Sequence, residues 1–291
     1  MTIPTSLLTV AVIGAGGKMG MRVSNNLDSS THRTYFSDIS TEGQRRITDA
    51  GRVITPSAEA ISAADVVILA VPDIALGKIS AEIVPGMKPG SILFTLDPAA
   101  AYANLLFQRD DIAYAVAHPC HPSVFLQRKT QEEVDDTFGG IAAPQDVVAA
   151  LDSDDQETRQ VAEGVIRSIY SPVADVHWVT VKQLAYLEPT LVEVVACMVG
   201  DLLKEALNET VHKIGVPEKA ARAMLDGHIQ VALAIGLHGD HVFSDACLVA
   251  MDYGRGKIIR DDWKEIFDDR ELDNVLARML QLNHIDRQAN N

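Results

Sequence analysis

Between Leu7 and about Pro172 the hydrophobic positions fall in short, β-branched runs separated by amphipathic or turn-rich stretches. That is the pattern of a parallel sheet whose strands are joined by crossover helices. It predicts strands at Leu8–Ile13, Arg33–Ser37, Val66–Ala70, Ser91–Leu96, Ala113–Val116, Gly139–Ala142 and Ala174–Trp178. After Val179 the short runs stop and long helical segments take over, at Val181–Ile214, Glu218–Gly236 and, shorter, after Asp240 and Asp261. The expected fold is α/β, a doubly wound parallel sheet in residues 1–179 followed by an all-helical domain in residues 180–291. Gly215 and Pro217 end one long helix and begin the next. Pro189 sits inside the first, where its ring meets the carbonyl of Ala185, so that helix should kink or start there.

Composition narrows the classes of partner. With 291 residues, 47% hydrophobic and 22% charged, the chain has room for two cores and no disordered bias. A formal net charge of −15 repels polyphosphate and anionic membrane surfaces, so neither nucleic acid nor a membrane is expected as a partner. Three scattered cysteines, Cys120, Cys197 and Cys247, make no disulfide framework and fit a reducing, cytoplasmic setting. Met1 to Val10 lack the basic start and cleavage site of a signal peptide. The apolar stretch Leu191–Leu207 carries Glu193, Asp201, Lys204 and Glu205, which marks a core helix rather than a membrane span. Helices this apolar in so small a domain point to a homodimer with helices packed across the two-fold. The acidic clusters at Asp152–Asp155, Asp261–Asp262 and Asp268–Asp269 read as solvated helix starts.

The clearest chemical signal lies at the first strand, where Val10 to Ile13 runs directly into Gly14, Ala15, Gly16, Gly17, Lys18, Met19 and Gly20. Without β-carbons the turn can be tight and backbone can approach a pyrophosphate, whose charge is met by the first amides of the following helix. The spacing is one residue longer than Gly-x-Gly-x-x-Gly, and fits Gly-x-x-Gly-x-x-Gly or a one-residue insertion. Asp38, eighteen residues past Gly20 at the end of the second strand, is placed to accept hydrogen bonds from an adenosine ribose and to repel a 2′-phosphate. NAD is therefore expected over NADP, with Arg45 and Arg46 read as surface charges of the next helix. A buried strand ending in Val71 and Pro72 lies beside the same cofactor.

In doubly wound folds ligands sit beyond the carboxyl ends of the strands. There the segment His118-Pro-Cys-His-Pro122 places His118 and His121 on a proline-stiffened turn, where histidine serves as acid, base, substrate ligand or metal ligand. His118 is the candidate of choice because it stands at the strand end, a capping role being its alternative; His121 and Cys120 stay open. Glu188 and Glu193 flank Pro189 on a largely apolar helix, where a carboxylate is costly unless paired, protonated or on a metal. Their alternative is a solvent-facing stripe shared with Lys182. His238-Gly-Asp-His241 has ligand-type residues but also the look of a plain helix end.

On Gly14–Gly20, Asp38, the Val67–Asp73 strand end, Lys182 and Gly215-Val-Pro217, the whole chain resembles the 6-phosphogluconate dehydrogenase-like superfamily. That superfamily includes β-hydroxyacid dehydrogenases, prephenate dehydrogenases and ketol-acid reductoisomerases. The resemblance implies a Rossmann domain and an NAD-dependent oxidoreductase acting on a CH–OH group. In hydroxyacid dehydrogenases a lysine early in the interdomain helix is the acid/base, which implies that role for Lys182, although the companion asparagine four residues on is Tyr186 here. Prephenate dehydrogenases share the His118-Pro119 pair. Reductoisomerases bind a divalent metal through acidic residues on the first long helices, near Glu193.

In length, in the His118–Pro122 segment and in Glu188-Pro-Thr190, the chain is most similar to the D-apionate oxidoisomerase group. This implies oxidation of a hydroxylated carboxylate, a sugar acid, coupled to carbon-skeleton rearrangement, as from D-apionate to 3-oxo-isoapionate. His118 and Glu188 would hold a divalent ion (zinc, manganese or magnesium) or the substrate oxygens, and Lys182 or Glu193 would move the proton. A simple β-hydroxyacid or prephenate-type dehydrogenase is the enzymatic alternative. A non-catalytic NAD-sensing regulator is the alternative of another class.

Overall fold

The structure, a computed structural model, describes residues 7–239 and 241–285. The chain divides into two compact units, Met1–Glu188 with Asp273–Asn291, and Pro189–Leu272. Among the described residues no helix is long and apolar enough to cross a membrane.

The first unit alternates strand and helix: β1 (Thr9–Ile13), α1 (Lys18–Asp28), β2 (Arg33–Ser37), α2 (Thr41–Asp49), α3 (Ser57–Ala63), β3 (Val66–Leu69), α4 (Asp73–Ile83), β4 (Ile92–Thr95) and α5 (Ala99–Tyr102). It continues through β5 (Ala113–Pro119), α6 (Gln131–Asp135), β6 (Gln145–Leu151), α7 (Gln156–Ile169), β7 (Val173–Trp178) and α8 (Val181–Ala185). The seven strands lie in the order β2-β1-β3-β4-β5-β6-β7. All neighbours are parallel except β5 and β6. This is the doubly wound Rossmann sheet expected, and beyond β2 a single parallel bridge between Phe36 and Ile54 is all that remains of a further edge strand.

Side chains alternate across a strand, so each strand feeds two cores. Val10, Val12, Ile68, Phe94, Ala115 and Ala117 face α1 and α7, where Val23, Leu27, Val165 and Ile166 cover them. Ala11, Ile13, Val67, Leu69 and Leu93 face the opposite way, onto Ala60 and Ile61 of α3 and Leu76 and Ile83 of α4. Both faces of the central strands are buried, which explains their unbroken apolar runs.

The expected strand at Gly139–Ala142 is not formed; the sixth strand is Gln145–Leu151. Gly139 and Gly140 both take positive φ, 76° and 89°. The Asp136 carboxylate gathers the amides of Ile141, Ala142 and Ala143, the groups a strand would need for its ladder. β5 also runs three residues past Val116, so His118 lies in the strand, opposite Val148 of β6, rather than on a turn. Asp155 and Ser40 cap α7 and α2 through their side chains, Asp262 is the N-cap residue of a short 3-10 turn (Trp263–Phe267) and Asp269 opens the last helix, so all three acidic clusters mark helix starts.

After α8 the chain stays helical through a π-helical stretch (Tyr186–Cys197) into α9 (Met198–Asn208) and a π turn (Glu209–Lys213). Pro189 neither starts nor stops the helix. Widening to i→i+5 spacing relieves the clash that α geometry would impose at the carbonyl four residues back. α10 (Glu218–Leu233), a π turn (Ala234–His238), α11 (Asp245–Ile258) and α12 (Asp269–Met279) follow. Gly215, at φ +82°, turns the chain between α9 and α10.

Phe94 is fully buried at the centre of the sheet. Phe94→Ala should lower unfolding free energy by about 3–5 kcal/mol through lost transfer energy and a residual cavity, read as a lower urea midpoint at unchanged slope.

Candidate functional site

Two clusters stand at the carboxyl edge of the sheet. The first is the glycine turn between β1 and α1, at the point where the strand order reverses between β1 and β3. The amides of Gly14 and Ala15 both donate to the carbonyl of Ser37 at the end of β2, at 2.8 and 3.0 Å. Gly14 takes φ +81°, and a β-carbon there would lie 2.5 Å from the carbonyl oxygen of Ala70, just past β3, and 2.8 Å from Val71 Cγ1. A β-carbon on Gly20 would overlap the carbonyl of Gly14, so this third glycine lets α1 pack onto the turn. α1 begins after Gly17 with no capping side chain and no acid in its first turn. The amides of Lys18, Met19 and Gly20 thus present the positive helix end. A cradle that β-carbons would fill, opening on uncapped first-turn amides, fits a dinucleotide pyrophosphate.

Asp38 stands one residue past β2. Its Oδ2 accepts from the Gly16 amide at 3.0 Å, and its Oδ1 accepts from both the amide and the hydroxyl of Ser40 at 2.8 Å. Arg45 is paired with Glu42 and Asp49, and Arg46 with Glu42. Both arginines are therefore balanced charges of α2, as expected. Pro72 is the N-cap of α4.

The second cluster joins two strand-end residues of the first unit, Asp97 and His118, with Glu188 of the helical stretch that follows α8. Asp97, His118 and Glu188 each offer a ligand atom, and the three atoms lie within 4.8 Å of one another. Asp97 and His118 are held from behind by backbone groups. Asp97 follows β4 and accepts the Ala99 amide on Oδ1 at 2.8 Å. His118 Nδ1 lies 3.2 Å from the carbonyl of Leu96, which fixes that nitrogen as donor and leaves Nε2 as the lone-pair atom. Burial pushes the His118 imidazole down to about 4, so it is neutral at pH 7, as a metal ligand must be. Glu188 is buried at the start of the π-helical stretch. Beside them Asp73, the first residue of α4, has its carboxyl raised to about 6 by burial and by Asp97. Two carboxylate oxygens and one imidazole nitrogen form a donor set that suits a divalent cation of hard or borderline character.

The other candidates are not members of this three-residue group, although the His121 ring stands 6.4 Å from that of His118. His121 takes a left-handed φ of 59° and its Nδ1 donates to the carbonyl of Phe138, 2.8 Å away, with its ring against the Phe138 ring. Arg22 of α1 also stacks on that phenylalanine and binds the Gly139 carbonyl, so His121 and Arg22 together tie down a loop. Burial, then Asp146, raises the Cys120 thiol, which disfavours a nucleophilic thiolate. Lys182 is exposed on α8 and Glu193 is exposed on the π-helical stretch, in the second unit. His238 ends a π turn closed by Gly239 at φ +69°, and Asp240 lies outside the described residues. Asp97 went unmarked in the sequence, yet the strand-end rule that singled out His118 also points to an aspartate two residues past β4.

Residues 9–101 match the family described as the NAD binding domain of 6-phosphogluconate dehydrogenase, and residues 126–280 match the phosphogluconate dehydrogenase (decarboxylating) C-terminal family. The chain is 57% identical to a D-apionate oxidoisomerase of Pectobacterium atrosepticum, over 97% of this chain and 99% of that one. It is 39% identical to a semialdehyde dehydrogenase NAD-binding protein of Cupriavidus necator, solved in complex with calcium and NAD, with a TM-score of 0.90 over 94% of this chain and 100% of that one. An NADH-preferring ketol-acid reductoisomerase from an uncultured archean shares the fold at a TM-score of 0.66 and 20% identity, over 94% and 82% of the two chains. The chain belongs to the D-apionate oxidoisomerase family within the 6-phosphogluconate dehydrogenase-like superfamily, and it is an NAD-dependent oxidoreductase.

The neutral His118 gives a pH prediction for chelator-treated protein. An unfolded histidine protonates near 6.5 and this one near 4, so between those values the unfolded chain binds more protons. The contribution is fully present above pH 6.5 and falls by about 3 kcal/mol as pH drops to 4. Urea unfolding at pH 7 and pH 4.5 should show a smaller loss in His118→Asn than in wild type, and an NMR titration of the His118 ring should place its midpoint below pH 5.

Proposed function

We propose that this chain oxidises D-apionate, a branched sugar acid, with NAD and couples that oxidation to rearrangement of the carbon skeleton. The observation that carries the reading is the convergence of Asp97, His118 and Glu188 at the carboxyl edge of an NAD-binding sheet. A hydroxy acid offers adjacent oxygens that one cation can chelate, and a dehydrogenase without rearrangement has less need of one. The calcium in the Cupriavidus necator relative agrees with such a site.

In this reading Gly14 to Gly20 and Asp38 hold the cofactor, with Val71 and Pro72 beside it. When bound, NAD supplies the hydride acceptor and a divalent ion supplies a Lewis acid for the substrate's hydroxyl and carbonyl oxygens. Asp97 and Glu188 would each give that ion a carboxylate oxygen and His118 its Nε2. The Leu96 carbonyl holds the imidazole in its ligating tautomer. Lys182 or Glu193 takes the hydroxyl proton.

The protein is proposed to work as a cytoplasmic homodimer. In the second unit α9 and α11 bury no residue, and α10 buries only Ala221. Met198, Val199, Met224, Val231, Val249 and Met251 are all at least 40% exposed, an apolar surface that a second copy would cover.

NADH formation from D-apionate, followed by absorbance, tests the chemistry. Turnover should be abolished by chelator and restored by a divalent ion, and should fall at least about 100-fold in Asp97→Ala, His118→Ala and Glu188→Ala. Chelator-resistant turnover on a linear hydroxy acid, lost in Lys182→Ala, would return the chain to a simple hydroxyacid dehydrogenase. Tight NAD binding with no turnover on any acid would favour the regulator. Light scattering at micromolar concentration should give twice the mass of one chain, and a monomeric mass would refute the dimer.

A further inference from the structure

The glycine turn is one residue longer than the common spacing, and read as an insertion the extra residue is Gly16, which packs against Gly43 in the first turn of α2. A β-carbon on Gly16 would overlap the backbone of Gly43, and one on Gly43 would overlap the Asp38 carboxylate. Gly16, Gly43 and Asp38 thus form a three-way contact that admits no side chain at either glycine. Both backbone groups of Gly16 are held. Its amide donates to Asp38 Oδ2 at 3.0 Å, and its carbonyl accepts from Arg46 Nε at 2.6 Å.

Arg46 is the one side chain of α2 that grips the turn itself. Its Nη1 lies 3.2 Å from Glu42 Oε1, so its charge is balanced within α2 rather than offered to a 2′-phosphate. The Gln44 amide adds a bond to the Asp38 carbonyl at 2.9 Å, which docks α2 on the same residue. If the Gly16 carbonyl were released, an inserted glycine would be free to sample many conformations, and its amide would no longer be aimed at Asp38. The Asp38 carboxylate would then lose a partner that orients it for the ribose.

We propose that Arg46 is a positioning residue of the cofactor site: by holding the carbonyl of the inserted Gly16 it keeps the glycine turn and Asp38 arranged for NAD. Arg46 does not touch the reacting atoms. The proposal rests on NAD as cofactor and is independent of the substrate and of the metal cluster.

The test is NADH binding by fluorescence titration in Arg46→Met, which keeps the stem and loses the donors, and in Arg46→Lys, which keeps a charged donor. Thermal melting of each variant is recorded without cofactor. The expected result is a dissociation constant raised roughly tenfold or more in Arg46→Met and by less than about threefold in Arg46→Lys, with equal melting temperatures. In steady state the KM for NAD should rise in parallel, while kcat at saturating NAD changes less than about twofold. Wild-type affinity in Arg46→Met, equal weakening in both variants, or a fall in kcat with unchanged KM would each overturn the proposal. If Arg46→Met does not fold, Gly43→Ala carries the test, because its β-carbon pushes Asp38 off Gly16 from the other side. Weaker NADH binding with kcat retained then supports the brace, and wild-type affinity refutes it.

Discussion

The first unit is organised by one close backbone approach, that of Gly14 to the ends of the two neighbouring strands. The Ser37 carbonyl takes both the Gly14 and Ala15 amides, while the Ala70 carbonyl occupies the place where a β-carbon would stand. No other residue type can hold a left-handed φ in that space. Because β1, β2 and β3 are locked together there, α1 leaves the turn with its amides toward the strand ends, and Gly20 lets it lie flat on the Gly14 carbonyl. The dinucleotide cradle follows from that geometry, as does the burial of α1 through Val23 and Leu27. Packing on that face and cofactor binding are two outcomes of the same contact.

The second constraint is electrostatic. A chain with net charge −15 brings Asp73, Asp97 and Glu188 to the same edge of its sheet and leaves His118, the nitrogen among them, uncharged. Burying carboxylates near one another is costly, because each raises the proton affinity of the next, and Asp73 already shows that effect. A neutral imidazole does nothing to offset the charge. A divalent cation does, and its own charge in turn keeps the carboxylates ionised. The acids and the neutral histidine make physical sense together as a ligand set and poor sense as an ion-pair network.

The legible parts of this fold were those set by local sequence. β2 matches its expected bounds residue for residue and β1, β3 and β4 match within one residue at either end, because short β-branched or aromatic runs bounded by turn residues are a local signal. The glycine turn and Asp38 were read for the same reason. Gln145–Leu151 was missed because its ladder is with β5 and β7, and the preceding Gly139–Ala142 run looked equally apolar. Only the Asp136 carboxylate, by taking the amides of Ile141 to Ala143, decides between them. The place of His118 was legible and its setting was not, since β5 is extended to Pro119 by pairing with that unrecognised strand. Asp97 carries the same strand-end signal as His118, two residues past β4, whereas Gly43 depends on how α2 docks and leaves no mark in sequence.

Pro189 shows how a local irregularity is turned to use. In α geometry it would break the helix, and the chain responds by widening to π spacing from Tyr186 to Cys197. A π stretch is less stable than an α-helix of equal length, so it persists where something is gained by the altered register. Here the residue immediately before the proline is Glu188, the helix-borne member of the cluster. Shifting the register by one residue per turn rotates the side chains that follow relative to those that precede. Glu188 thereby lies inside the widened stretch, two residues past its start at Tyr186, rather than on a uniform α face. The same choice explains why a buried acid is tolerated in an otherwise apolar segment: its position is fixed by the backbone irregularity and not by packing alone.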